Sequence, residues 1–403
     1  MQGPLHDIKV LDLSRVLAGP WASQLLADYG AEVIKVEQPD CGDDTRRWGP
    51  PWLSAEDGSE TCESAYFLAT NRNKKSITVN IADVAGQQLI KELVDKSDVV
   101  LENFRVGSLV RYGLDAPTLL RAFPSLIYCS ISAYGQDSQR AAEPGYDAMI
   151  QASAGLMSLT GDADGAPQKT GVAVADIMAG MYAVSGILAA LHARERTGAG
   201  QHIDVPLFDS QVAWLANQAM NYLVGNEIPQ RHGNAHPNIV PYQSFATADG
   251  YLMLAVGNDR QFAACAECLE LGHLATDPRF SGNSGRVKYR DELVATIAGK
   301  LLTATTADWL RKFRERGVPS GPINDLAQVF ADPHTVERGL VHALPHPLAG
   351  SVPSVANPVR FSATPTRMRS APPLLGEHTD DVLQKTLGYS AEKIAALRAA
   401  GTI

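Results

Sequence analysis

Through the first 135 residues, short runs of β-branched and aliphatic side chains alternate with stretches whose apolar positions recur every three to four residues. This alternation predicts a parallel sheet covered on both faces by helices. Strands are expected over 9–13, 32–36, 76–80, 99–102 and 126–132, with helices over 21–29, 84–96, 108–112 and 116–123. Crossovers between parallel strands are right-handed, and ligands collect beyond the carboxyl ends of the strands. The loops after Leu13, Val36, Asn80 and Glu102 are therefore the expected walls of a site. A long apolar helix containing Asp176 comes next, then a turn over 196–200, a strand over 202–207 and a helix from Asp209.

The pattern changes after Gly225, where Pro229, His232, Gly233, His236, Pro237 and Pro241 crowd into one short span. Such a span marks a functional loop or a domain crossing. Beyond it a second domain is expected, with a strand over 251–256, a helix over 261–271 and strongly helical sequence over 291–316. Residues 340–373 are rich in proline and serine and read as an extended return along the first domain, ending in a helix from Glu377. The expected plan is a large α/β domain over 1–224, a small domain over 225–330, and a return over 331–403 that completes the large one. No internal repeat or low-complexity tract interrupts it.

Composition narrows the classes. A chain of 403 residues, 45% hydrophobic, can bury more than one core. Its net charge of −9 provides no general basic field, so nucleic acid is not an expected partner. The five cysteines are odd in number and sparse, which implies no disulfide framework and fits a reducing cytoplasm. The N-terminus enters a strand pattern without a basic region or an apolar signal core. Asp176, Gly180, Ser185 and Gly186 interrupt the best apolar run, so no membrane span is expected.

Asp176 is the most informative position. An ionised carboxylate in an apolar stretch must find donors or shift its pKa. It could cap the long helix, since Asp is among the preferred N-cap residues. Alternatively, the free N–H groups of the helix terminus could hold a desolvated nucleophile for an activated carbonyl. Basic residues cluster at Arg46-Arg47, Arg72 to Lys75, Arg105 and Arg111, mostly near strand ends. Such clusters form either a solvated surface or a polyphosphate site. The loop from Ser14 to Pro20 lacks the G-x-G-x-x-G spacing of a dinucleotide site. Cys265 and Cys268 have no second pair to complete a zinc site, and no H-E-x-x-H or G-x-S-x-G motif is present. No metal is expected.

Several segments together resemble the class III coenzyme A transferases, the formyl-CoA and carnitine-CoA transferase family. They are Val10-Leu-Asp-Leu13 with Leu17-Ala-Gly-Pro20, Gly30-Ala-Glu-Val-Ile-Lys-Val-Glu37, Gly42-Asp-Asp-Thr-Arg46, Asn73-Lys-Lys-Ser76, Glu102-Asn-Phe104, Gly145-Tyr-Asp147 with Gln151-Ala-Ser-Ala-Gly155, Ala175-Asp176, and Leu374-Leu-Gly-Glu-His-Thr379. The resemblance implies that Asp176 is the nucleophile, attacking an acyl-CoA thioester to give an aspartyl anhydride and then an aspartyl-CoA thioester. It implies CoA as cosubstrate, with no permanently bound cofactor. CoA contacts are then expected from Arg15, Leu17, Ala18, Gln38, Val79, Asn80, Ala82, Asn103, Phe104, Arg105, Arg111 and Tyr146, with the basic clusters taking its phosphates. The implied fold is an open Rossmann-like α/β large domain with a smaller α+β domain, in a homodimer of interlocked subunits.

The formyl-CoA branch carries glutamine at the position of Leu17 and a glycine run not found in this chain. The stretch from Arg231 to Phe245, with Gly257-Asn258, is similar instead to the branch that moves CoA between succinate and glutarate, hydroxymethylglutarate or itaconate. A dicarboxylate acceptor needs a cation for its distal carboxylate, and Arg72, Arg15 and His236 are the candidates. Two other activities are weighed. An α-methylacyl-CoA racemase has histidine where this chain has Tyr146, and a neutral phenol is a poor proton acceptor. A non-catalytic acyl-CoA-binding protein has no use for Asp176.

Overall fold

The apolar runs of the N-terminal half become parallel strands in the computed structural model, which describes residues 2–403. They are β1 (Lys9–Asp12), β2 (Glu32–Glu37), β3 (Lys74–Thr78), β4 (Val99–Glu102), β5 (Ile127–Ser132) and β6 (Gln201–Pro206). Every pair is parallel, and the order across the sheet is β3-β2-β1-β4-β5-β6. That order is the doubly wound one, in which the chain reverses its direction of travel between β1 and β4.

Alternate side chains feed two cores. Val10, Val33, Val99, Ile127 and Cys129 pack on one face against the helices Ala18–Asp28 and Val174–Thr197. Leu11, Ile34, Ile77, Val100 and Tyr128 pack on the other with Leu89, Ile90 and Leu93 of the helix Val84–Asp95 and with Val382 and Leu383 of Thr379–Leu387. The chain end is tied to β3 and the residues after it: Thr78 N–H donates to Thr379 Oγ1 at 3.1 Å and Asn80 N–H to the Thr402 carbonyl at 2.8 Å. The helix Val174–Thr197 is long and apolar enough to cross a membrane by length and composition. Here Ala175, Ala179, Ala183, Ile187 and Leu191 form a buried stripe in the core.

Two compact units emerge: residues up to Leu156 with Thr170–Met220 and Pro333–Ile403, and Met157–Lys169 with Asn221–Asp332. The excursion Met157–Lys169 has no counterpart in the sequence-based plan. The second unit holds the antiparallel strands Tyr242–Ala246, Tyr251–Ala255 and Ser320–Pro322 over a core that includes Phe262, Leu293, Trp309 and Phe313. Its strongly helical stretch over 291–316 forms two helices, Arg290–Leu301 and Thr306–Glu315. Thr305 ends the continuity, because its hydroxyl accepts the Asp308 N–H at 3.2 Å and starts a new helix. The region read as an extended return contains the hairpin Val341–His346/Gly350–Val355. A short hairpin, Trp52–Ser54/Glu60–Ser64, was likewise not expected.

Candidate active site

Where the chain reverses between β1 and β4, the loops that follow these two strands diverge, and the side chain of Asn103 ties them together. The Arg15 N–H donates to Asn103 Oδ1 at 2.8 Å, and Asn103 Nδ2 donates to the Arg15 carbonyl at 2.7 Å. Glu102 accepts the Phe104 N–H at 2.7 Å and shapes the second loop. The Arg15 guanidinium pairs with Asp44 at 3.0 Å and lies 5.6 Å from the centre of the Phe104 ring.

The loop after β1 is strained. Val16 has φ 71°, a left-handed conformation that costs a β-branched residue ~1–3 kcal/mol. One residue later, Leu17 starts the helix Ala18–Asp28 without any side-chain cap. Among the described residues, no acceptor meets the N–H groups of Leu17 and Ala18. Unpartnered donors at a helix start favour an anion. Gly180 lets this helix approach Val174–Thr197 closely, since a Cβ there would stand 2.7 Å from the Ala18 carbonyl oxygen. Ala18 is thereby held against the helical turn that follows Asp176.

Asp176 does not cap its helix. The N-cap position is Ala173, and Asp176 lies in the first turn. The cap is Asp147, at the start of the helix Asp147–Ser153. Its Oδ1 accepts the N–H of Ala175 at 2.8 Å and that of Asp176 at 3.4 Å. Gln151 Nε2 holds the other oxygen at 2.6 Å, and Gln151 Oε1 accepts the Thr170 N–H at 3.0 Å. The N–H groups expected to serve Asp176 are thus already engaged by Asp147. Among the described residues, nothing donates to the Asp176 carboxylate. Burial, and after it the neighbouring Asp147 charge, push its carboxyl up to about 7.

A cavity of about 230 Å³ opens above Asp176, lined also by Arg15, Leu17, Ala18, Asn103, Phe104, Arg105 and Tyr146. A second, of about 260 Å³, is lined by Gln38, Val79, Asn80, Ala82 and Arg111, and it shares Arg15 and Phe104 with the first. All twelve positions expected to contact CoA therefore face one or other of two cavities with a common wall.

The remaining basic residues lie elsewhere. Arg72, expected to bind the acceptor, lines neither cavity and is 5% exposed. Its Nε and Nη2 bind the two oxygens of Asp28 at 3.0 and 2.5 Å, and its Nη1 meets the Val355 carbonyl at 2.9 Å. Each of its three side-chain nitrogens is thus held by another part of the chain. Arg46 is likewise bound to both oxygens of Glu37 (2.7 and 2.8 Å), Lys74 to Asp12 (3.3 Å) and Lys75 to Glu32 (2.6 Å). Arg47 is exposed and lines neither cavity. Strand-end position attracted the phosphate expectation, but buried carboxylates on neighbouring elements claim most of these cations. Arg72→Met is expected to lower stability by ~3–5 kcal/mol in a denaturant titration, because Asp28 is left buried without its counter-charge. A raised acceptor KM at intact stability would instead restore Arg72 as a substrate ligand.

His236 belongs to the second unit. Its Nδ1 accepts the Asn238 N–H at 3.0 Å, and its ring packs 5.3 Å from that of Tyr242. Burial and then Arg290 hold its imidazole below the usual range. The cysteines of the C-x-x-C pair are both free thiols: Cys265 is part of the second core, and Cys268 contacts the Lys312 carbonyl.

Sequence reasoning missed Asp147 and Gln151 as the support of Asp176. Both sit inside the segments that carried the family resemblance, so their positions were visible although their role was not. Asp43 likewise lies inside a matching segment, Gly42-Asp-Asp-Thr-Arg46. Val16 gave no signal, since a left-handed valine has no signature in composition or period.

A doubly wound sheet with a partnerless carboxylate at its switch point defines an acyl-transfer enzyme more readily than a dinucleotide-dependent one. Residues 5–379 match CoA-transferase family III, and the chain belongs to that family. It is an enzyme family that uses CoA as a cosubstrate. The chain is 48% identical over 380 residues to a succinate–glutarate CoA-transferase of Agrobacterium fabrum, covering 94% of this chain and 95% of that one. It is 44% identical over 400 residues to the human succinyl-CoA:glutarate CoA-transferase, covering 99% and 90%. Among solved structures, a CAIB/BAIF family protein from Brucella suis superimposes with a TM-score of 0.85 at 47% identity, covering 96% of this chain and 100% of that one.

Proposed function

We propose that this enzyme moves CoA from succinyl-CoA to a free dicarboxylate such as glutarate, through covalent intermediates on Asp176. The observation that carries this reading is a carboxylate to which no described residue donates, lining a cavity that the uncapped start of the helix Ala18–Asp28 also lines. A carboxylate whose pKa is raised to about 7 is more basic than usual, and a stronger nucleophile when ionised.

The thioester carbonyl of the donor lies beside Asp176, and one carboxylate oxygen adds to it. The C–S bond breaks, leaving a succinyl-aspartyl anhydride and CoA thiolate. The thiolate attacks the aspartyl carbonyl, releasing succinate and forming an aspartyl-CoA thioester. A glutarate carboxylate attacks that carbonyl, expels the thiolate again and forms a second anhydride. The thiolate then attacks the glutaryl carbonyl, which yields glutaryl-CoA and regenerates Asp176. The energy of one thioester is passed on at every step, with no net proton or water consumed. The N–H groups of Leu17 and Ala18 are the donors for the successive oxyanions.

CoA would run from the second cavity, where Arg111 meets its phosphates, past Phe104 and Arg15 to the thioester end at Asp176. Arg15 and Arg105 line the Asp176 cavity and supply the cation for the distal carboxylate of the acceptor. Two copies would interlock as a homodimer, a reading supported by the exposed side chains of Met181, Tyr182 and Leu188 on the outer face of Val174–Thr197. Five free thiols support a reducing, cytoplasmic setting.

An acceptor panel tests the substrate class. With succinyl-CoA as donor, mass spectrometry of the acyl-CoA products is expected to show transfer to glutarate and its close analogues, and little to formate or oxalate. No turnover with any dicarboxylate overturns the reading.

A further inference from the structure

Val16 is the only β-branched residue with positive φ among the described residues, and it sits in the loop that joins Arg15 to Leu17. Something must hold it there. Its N–H lies between the two oxygens of Asp43, at 3.2 and 3.3 Å. Asp43 in turn accepts Lys35 Nζ at 2.8 Å, and Lys35 also donates to the Ser14 carbonyl at 2.9 Å. The pair therefore grips the loop on both sides of Arg15. Both side chains are fully inaccessible to solvent, and Thr45 fixes Asp43 further through its N–H (3.0 Å) and hydroxyl (2.8 Å). A buried ion pair is weak evidence for stability alone, because desolvation offsets much of the attraction. Here its hydrogen bonds go to a backbone segment that an unassisted valine would abandon.

We propose that Lys35 and Asp43 are positioning residues for the transfer reaction, holding Val16 left-handed so that the backbone of Leu17 and Ala18 forms a wall of the Asp176 cavity. The inference rests on the reading that this backbone receives the oxyanion. A merely structural pair would serve any conformation of the loop equally. A positioning pair matters only while residue 16 resists the conformation imposed on it.

That difference is measurable with Asp43→Asn and Val16→Gly, made singly and together. Glycine adopts positive φ without steric cost, so it should relieve the need for the clamp. Asp43→Asn is expected to lower kcat by on the order of 10²-fold in the natural background, as small misplacements near reacting groups do. In the Val16→Gly background the same change should cost less than about tenfold, a coupling between neighbouring sites. Equal losses in both backgrounds overturn the proposal. Val16→Pro guards against a variant that fails to fold, because it leaves the buried pair intact while proline excludes positive φ and removes the N–H. It should also lose on the order of 10²-fold in kcat, and a natural kcat in that variant overturns the proposal independently. The cycle is read a second time as the dissociation constant for CoA by calorimetry, where Val16→Gly should again shrink the effect of Asp43→Asn. That reading needs no acceptor, so an error in the substrate class would show in the acceptor panel and leave this test standing.

Discussion

Asp176→Ala is expected to reduce CoA transfer by on the order of 10⁴-fold or more, while CoA affinity stays within about threefold of the natural protein. The reason is geometric. Asp176 accepts no hydrogen bond from the described residues, so its removal breaks no network and leaves the Asp147 cap on Ala175 in place. What disappears is the only oxygen nucleophile that the proposed anhydride needs. Stability should move the other way. The raised pKa means that the folded state favours neutral Asp176, a contribution present below about 4 and lost as pH rises through about 7. Asp176→Asn should therefore unfold at a higher temperature than the natural protein at pH 8. Lower stability at pH 8, or residual transfer within tenfold of natural, would contradict the assigned role.

Asp147→Ala is expected to lose on the order of 10²-fold in kcat, though Asp147 touches no substrate in this account. It fixes the first turn of Val174–Thr197 through the Ala175 and Asp176 N–H groups; Gln151 fixes it in turn and is itself held by the Thr170 N–H. Removing a cap of this kind costs about 0.5–2 kcal/mol and lets the nucleophile wander. Asp147→Asn separates position from charge. In the natural enzyme, kcat/KM for the donor should rise with pH through about 7 and level off above it, as Asp176 ionises. The asparagine keeps an acceptor for the cap but removes the second cause of the raised pKa, so the rise should move to lower pH. Burial, the larger cause, remains, and the midpoint should stay above that of an ordinary aspartate, about 4. An unmoved profile would mean that Asp147 does not act on the charge of Asp176.

Much of the large sheet was legible because its strands are continuous apolar runs separated by helical periods, a pattern that survives without any knowledge of contacts. The site loops were legible for a related reason: they follow the strands, and the doubly wound order places them at the switch point. Pairing was not legible. Arg72, Arg46 and Lys74 look like phosphate ligands in sequence, and only the fold shows Asp28, Glu37 and Asp12 beside them. Asp176 looks like a helix cap for the same reason, because the true cap, Asp147, is supplied by a distant segment. The break at Thr305 and the left-handed Val16 are single-residue backbone choices, too local for a periodic signal.

Trapping the enzyme during turnover tests the central claim most directly. Incubation with succinyl-CoA, rapid acid quench and peptide mapping by mass spectrometry should find CoA attached as a thioester to the peptide carrying Asp176, and glutarate added before the quench should discharge it. Asp176→Ala should give no adduct. A CoA adduct on another residue, or full turnover with no adduct on Asp176 at any quench time, would contradict the account.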